Sequence, residues 1–391
     1  MQADLKMNFF VEDLINLPKV RVRSVVRERE AIFLQLGFRE EEVACPHCGK
    51  KTGELNQTRT VRVRDLPISG QLVYLQIPRR QFYCKKCQQY FTEELDFIET
   101  GRRFTRRYEE YIYERVIASS VEQVKREEDL SWHQVNGIHQ QVYERKKKVN
   151  WGQVKRLGLD EIAKHKGHKK FVTVVSDLEK GELIEVIDSH QQEEIAEVLL
   201  QQPLEVREAV EEVSVDMWGG FPKLIEKVFP NAQIVVDRFH VMKAVNDNLN
   251  KIRKQVKFKI KIKGAKWLLL KNQKDLKEEG LEKLEAVLKQ SKRLRKAYQL
   301  KEDFREIYET TQDPESGKNK FKEWLCKAQS IYGDAVKTIR NHLNTICNYF
   351  LSRTTNGVME GINNRLKLIK RQAYGFINFE NMRMRFLSCF T

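Results

Sequence analysis

The chain has 391 residues, enough for two or three domains, and its 41% hydrophobic and 32% charged residues suit a globular protein rather than a fibre or a disordered tail. Lys and Arg number 71 against 55 Asp and Glu, and the net charge of +16 favours a polyanionic partner, nucleic acid before an acidic membrane. No stretch approaches the ~18 apolar residues of a bilayer span, and Asp4, Lys6, Glu12 and Asp13 interrupt any signal-peptide core, so the expectation is a soluble, unexported protein without a membrane partner.

Residues 1–100 are expected to form a zinc-ribbon domain with flanking strands. Runs such as Val20-Arg21-Val22-Arg23 and Val61-Arg62-Val63-Arg64 alternate with the two-residue period of a strand. Cysteines number seven, and four of them form the pairs Cys45-Pro46-His47-Cys48 and Cys84-Lys85-Lys86-Cys87. Each pair presents two thiolates to one structural, tetrahedral Zn²⁺, and Gly49 permits the tight turn of a knuckle. The 35 residues between Cys48 and Cys84 are long for such a site, but runs at 59–64 and 72–77 would return the chain as a hairpin. Four thiolates close the site without His47, so no catalysis is expected there. Arg79, Arg80, Lys85 and Lys86 are candidate DNA contacts, and Cys326, Cys347 and Cys389 read as core residues.

Residues 101–150 change to helical spacing. Apolar positions in Tyr108–Ile117 and Val121–Val124, a break at 127–130, the N-cap candidate Ser131 and the stripe Val135, Ile138, Val142 predict three short helices, a helix-turn-helix. Its DNA-facing candidates are Arg102, Arg103, Arg106 and Arg107 before the first helix and His133, Gln134, Asn136, Gln140 and Lys147 on the third.

From 151 to 249, apolar runs alternate with amphipathic helices, which predicts an α/β core. Asp160 follows Leu157-Gly158-Leu159, and alternation puts it and Glu161 on opposite faces, so only one should reach a shared site. Asp216 follows Val213-Ser214-Val215 and precedes Met217-Trp218-Gly219-Gly220, and a carboxylate at a strand's C-terminal end is where open α/β sheets build sites. Residues 250–350 predict a basic helical insertion, with ten basic and no acidic residues from Lys251 to Lys274. Residues 351–391 carry the last amphipathic helix of the core. Met359, Ile362, Leu366 and Ile369 form its buried stripe, and Glu360, Asn363, Asn364, Lys367 and Arg371 a polar stripe beside it. One acid followed only by amides and bases suits an acid that holds a metal and companions that hold phosphate.

Asp160, Asp216 and Glu360, with Lys367 seven residues beyond the Glu, resemble the Asp-Asp-Glu triad and trailing base of the DDE transposases. The Cys-Pro-His-Cys-Gly, Val-Asp-Met-Trp and Glu-Gly-Ile-Asn-Asn runs resemble more narrowly the zinc-finger-bearing ISL3 branch of insertion-sequence transposases, over nearly the whole chain. Asp237-Arg238-Phe239-His240 is similar to an Asp/Cys-x-x-His signature that such families carry after the second Asp. The resemblance implies a multidomain α/β protein whose catalytic core is ribonuclease-H-like with a helical insertion. It further implies two Mg²⁺ or Mn²⁺ per site, held by Asp160, Asp216 and Glu360, with Lys367 on phosphate and Asp237 and His240 as secondary candidates. The implied partners are double-stranded DNA at element ends and target and further copies of the chain, with no small-molecule substrate, in a prokaryotic cytoplasm at the nucleoid. A DNA-binding regulator without catalysis and a junction nuclease of the same fold are the competing readings.

Overall fold

The computed structural model describes residues 11–17, 19–147, 151–164, 170–217, 221–256, 262–354 and 357–390. Two compact units divide the chain, Met1–Lys147 and Lys148–Thr391.

In the first unit, β1 (Val20–Glu28) pairs antiparallel with β2 (Ala31–Phe38), and a long hairpin joins β5 (Leu55–Ile68) to β6 (Gln71–Cys84). Its turn is Ser69-Gly70, both in the left-handed region at φ 50° and 77°, which matches the twist of a two-residue hairpin. The sheet runs β1-β2-β6-β5, with β2 and β6 parallel and β7 (Gln89–Thr92) on the far end of β6. The short pair β3 (Val43–Ala44) and β4 (Lys51–Thr52) flanks the first knuckle. Alternation sends Val20, Val22, Leu34, Leu36, Val63 and Leu75 to one buried face.

Three helices follow, each started by a hydroxyl cap. They are α1 (Arg106–Ala118, capped by Thr105), α2 (Val121–Glu128, capped by Ser120) and α3 (Trp132–Lys146), where Ser131 and Gln134 form a reciprocal capping box. The break expected at 127–130 begins later, at Asp129, whose left-handed φ of 49° ends α2. Glu128 stays helical because it is the hub of a buried network. Its carboxylate accepts from Arg64 at 3.2 Å, Tyr108 at 3.1 Å, Tyr111 at 3.0 Å and Arg115 at 2.9 Å, which ties the helices to β5.

The second unit is built on a five-stranded sheet in the order β10-β9-β8-β11-β12. Here β8 is Arg156–Ala163, β9 Phe171–Asp177, β10 Glu182–Ile187, β11 Glu212–Val215 and β12 Gln233–Val236. The pairs β8–β9 and β9–β10 are antiparallel, while β8–β11 and β11–β12 are parallel, their crossovers carrying α4 (Gln192–Leu199), α5 (Leu204–Glu208) and α6 (Phe221–Val228). Leu157, Leu159, Val213, Val215, Ile195 and Ile225 share one core.

A second core starts earlier than the expected residue 250. In α7 (Arg238–Gln255), Val241, Val245, Leu249 and Ile252 already pack with Phe304, Phe321, Trp324 and Tyr332 of the helical part. That part contains α8 (Ala265–Leu270), α9 (Glu278–Leu288), α10 (Lys292–Thr310), α11 (Pro314–Ala328), α12 (Gly333–Asn341), α13 (Leu343–Cys347) and α14 (Tyr349–Ser352). The Lys251–Lys274 run is partly neutralised from other helices, Lys251 by Asp334 at 3.5 Å and Lys274 by Glu309 at 3.1 Å; Lys257, Lys259 and Lys261 lie outside the described residues. Cys326 is exposed rather than core, while Cys347 and Cys389 are buried.

The predicted polar and apolar stripes fall on α15 (Gly357–Gln372), with Met359, Ile362, Leu366 and Ile369 buried. This helix is followed by another that the sequence reading did not separate, α16 (Phe379–Ser388). Asn378 caps it, and its Arg383 holds Glu185 of β10 through two 2.7 Å bonds.

Candidate active site and metal centre

The β5–β6 hairpin delivers Cys84 and Cys87 to Cys45 and Cys48, and all four sulfur atoms lie within 4.8 Å of one another. Sγ separations of 3.9 Å (Cys45–Cys87) and 3.8 Å (Cys48–Cys84) match the ~3.8 Å edge of a tetrahedron built on Zn–S bonds of about 2.3 Å. Gly49 has φ 71° and its N–H donates to Cys45 O at 2.9 Å; Gln88 repeats the turn at φ 53°, donating to Cys84 O at 2.7 Å. The Cys87 backbone N–H draws the Cys84 thiol down to about 7, while the Cys48 sulfur pushes Cys87 up to about 12, as thiols that crowd together share their protons. His47 is exposed and outside the cluster.

Several cations proposed for DNA are engaged inside the unit. Arg80 makes two bonds to Glu93, at 2.8 and 2.7 Å, and stacks on Phe38 and Phe82; Lys85 pairs with Glu54. Arg102 bonds the buried Glu109 at 2.8 Å, Arg107 holds the buried Asp65, and Arg106 reaches Glu99 at 3.1 Å. Burial of Asp65 and Glu109 demands these partners, since an unpaired buried carboxylate is costly. Gln134 spends its side chain on the capping box. Arg103, Lys86, His133, Gln140 and Lys147 remain exposed, while Asn136 is half-buried.

The acids of the second unit meet through strand register. Parallel pairing aligns Leu159, Val215 and Val236 across β8, β11 and β12, so the next residue of each chain segment, Asp160, Asp216 and Asp237, falls in one row. Asp160, Asp216, Asp237 and His240 line a cavity of ≈ 420 Å³, closed from the other side by α15 with Glu360, Asn363, Asn364 and Lys367. Glu161 lines it too, contrary to the alternation argument. The physical reason is that β11 ends opposite Leu159 while β8 runs on to Ala163, so this edge of β8 is open and both of its faces border the notch. Arg371 is exposed on α15 beyond the cavity lining. Trp218, Gly219, Gly220 and Asn356 lie outside the described residues.

Hydrogen bonds hold the row. Asp160 Oδ2 accepts from Asn363 Nδ2 at 2.5 Å and Oδ1 from the Glu161 N–H at 2.7 Å. Asp237 caps α7, accepting from the Phe239 N–H at 3.0 Å, and its other oxygen lies 3.0 Å from His240 Nδ1. The far nitrogen of His240 is 3.6 Å from Asp216. Burial raises the Asp160 carboxyl, only partly offset by its bonds to Glu161 and Asn363 and by His240, while the Asp216 charge raises it further. Burial and the charges of Asp160 and Asp216 likewise raise Glu161. Burial lowers His240, but its bond to Asp237 and the surrounding aspartates outweigh this and raise it. Among the described residues only the four cysteines gather three or more ligand atoms within 4.8 Å; the acids share a cavity without that closeness, as expected of like charges held by separate partners.

Gly158 sets how near α15 comes to the sheet. A Cβ there would lie 2.8 Å from Leu178 Cδ2 and 3.3 Å from the sulfur of Met359, the residue before Glu360. Gly158→Ala is therefore expected to cost about 1–3 kcal/mol by overpacking. The urea unfolding midpoint checks this, and an unchanged midpoint would mean that Leu178 yields freely.

Comparison with known proteins bears directly on this arrangement. Residues 157–386, more than half the chain, match the family model for the transposase domain of ISL3 elements. The chain belongs to the ISL3 family of transposases. Residues 41–87 of this transposase match the zinc-finger of transposase IS204/IS1001/IS1096/IS1165, and residues 93–143 the helix-turn-helix domain of transposase family ISL3. It is 27% identical over 360 residues to the transposase for insertion sequence element IS1001 of Bordetella parapertussis, covering 88% of both chains. To the transposase for insertion sequence element IS1557 of Mycobacterium tuberculosis it is 25% identical over 282 residues, 63% of each. A 107-residue stretch is 33% identical to a Lactococcus lactis protein named ATP-dependent protease, covering 27% of this chain and 33% of that one. The protein is thus a DNA-cleaving transposase with a zinc ribbon, whose four thiols suit a structural Zn²⁺, and a DNA-binding helix-turn-helix. No described helix is long and apolar enough to cross a membrane.

Proposed function

We propose that this transposase binds the ends of a mobile element and cuts and joins DNA by a DDE two-metal mechanism in a ribonuclease-H-like core. The observation that carries this reading is the Asp160–Asp216–Asp237 row facing Glu360 across one cavity. The mixed sheet, three antiparallel strands continued by two parallel ones, supports the fold assignment. The donors are hard carboxylate oxygens without thiolate, a set that suits Mg²⁺ or Mn²⁺, and a cation there would offset the burial that raises Asp160. When bound, a pair of such ions activates the attacking hydroxyl and stabilises the leaving oxygen of an in-line displacement.

Asp160 and Asp216 would be the principal ligands and Glu360 the third. Lys367, exposed at the cavity rim, would hold a phosphate of the DNA, and His240 would steady Asp216 from the Asp237 side. Water attack at the element end breaks the phosphodiester bond and frees a 3′-OH, which then attacks a target phosphate and releases a target 3′-OH. Two ends must be held for this, so self-association on DNA belongs to the proposal.

Asn363 enters as a positioning residue rather than as a DNA contact, because it is buried and its amide donates to Asp160. Asn363→Ala should lower cleavage about 10–100-fold and raise the Mg²⁺ requirement, with DNA affinity unchanged. A matching loss of affinity would return Asn363 to the DNA interface. The decisive experiment supplies precut element ends with Mg²⁺ and a target plasmid. Joined products support a transposase mechanism; cutting without joining in repeated trials would leave the junction-nuclease reading.

A further inference from the structure

Apart from Arg64, which Glu128 holds, the outer face of the β1-β2-β6-β5 sheet serves none of the roles above. Its inner face is core, so alternation turns the other set of side chains outward. Cross-strand pairing arranges these in rows, Val26 beside Phe33, Tyr74 and the buried Arg64, and Ser24 beside Gln35, Gln76 and Arg62. The Phe33 and Tyr74 rings form an offset stack, with centroids 5.4 Å apart and planes 16° from parallel. The Arg62 guanidinium lies 5.2 Å from the Phe33 centroid and 5.8 Å from that of Tyr74. Both rings are half-buried, Arg62 is exposed and Val26 is 50% exposed. Arg21 and Arg23 extend the face at its edge, and Arg23 lies across Gly37 so closely that a Cβ there would be 2.4 Å from its Nε.

Glu128 holds Arg64, and Glu28 sits in the next row beside Ala31 and Leu72, so among the described residues the exposed cations free of a carboxylate on this face gather around the aromatic pair, at Arg62 and at the Arg21–Arg23 edge. Cations alone would serve a duplex backbone, but an aromatic pair has no use there, since the base faces of a duplex are hidden in its stack. Unpaired bases expose them, and base–aromatic stacking beside cations that track the backbone is the physics of single-strand binding. Cutting DNA generates strand ends whose terminal bases leave the stack. We propose that this face binds single-stranded DNA, the Phe33–Tyr74 pair stacking bases and Arg21, Arg23 and Arg62 neutralising phosphates. The inference rests on the transposase's action on DNA and not on the assignment of its catalytic acids.

The test uses the zinc-loaded full chain, a labelled oligothymidine strand and a duplex of equal length. The Phe33→Ala/Tyr74→Ala variant should bind the single strand about tenfold or more weakly, and the duplex within about twofold of wild type. Phe33→Tyr/Tyr74→Phe keeps both rings and should keep single-strand affinity. Because stacking neutralises no phosphate, the salt slope should persist in the alanine variant and fall in Arg62→Ala. Independently of any variant, an iodouracil-substituted strand should photocross-link the wild-type protein at Phe33 or Tyr74. Equal losses on duplex and single strand, no loss on either, or cross-links confined to other surfaces would each overturn the proposal.

Discussion

Asp216→Asn is expected to lower DNA cleavage by roughly a thousandfold or more while leaving end binding within about twofold of wild type. Asp160→Asn and Glu360→Gln should behave alike. Each change keeps the shape and removes the charge, so what is lost is affinity for a divalent cation rather than packing. Electrostatics also separates catalysis from architecture here. Burial and the Asp216 charge already raise Asp160, so neutralising a member of the row relieves repulsion, and the unfolding midpoint should hold or rise. A structural acid would behave oppositely, as Glu128 should, since its removal takes the carboxylate from the buried Arg64 guanidinium. Cleavage of end-labelled duplex in Mg²⁺, with fluorescence anisotropy for binding, reads both quantities. Near wild-type cleavage in any one variant would remove that residue from the metal site. Glu161 lines the same cavity, and Glu161→Gln is the control that tells a ligand from a bystander.

Loss of zinc should be the second large effect. Structural zinc contributes about 10–16 kcal/mol in small folds, comparable with the whole stability of a domain at about 5–15 kcal/mol. The local apolar cluster at the knuckles is small, Phe82 and Phe91 with the cysteines themselves, and cannot replace that contribution. Cys84→Ser, or chelation of the wild-type protein, is therefore expected to unfold the knuckles and open residues 41–92 to protease while the α/β unit keeps its helical circular dichroism. Cys326→Ser alters an exposed thiol and should leave metal content unchanged. Metal analysis with mapped proteolysis decides the matter, and a protease-resistant ribbon without metal would show that the hairpin supports itself.

Features carried by near neighbours in the chain were legible without coordinates. The two Cys pairs, the β5–β6 hairpin, the Ser131 cap, the α15 stripes and the alternation of strands and helices in the α/β unit all follow from short-range spacing, because a knuckle, a cap or a helix face is closed by residues only a few positions apart. What the tertiary structure alone decided lies in pairings across long separations. Asp237 joins Asp160 and Asp216 only because β8, β11 and β12 pair in parallel, a register that no local period encodes. Glu161 reaches the cavity because a neighbouring strand stops short, and Asn363 turns to a carboxylate 203 residues away. Arg102 and Arg107 read as a basic DNA run in sequence, yet buried Glu109 and Asp65 claim them, since a carboxylate removed from water takes whichever cation the fold brings beside it.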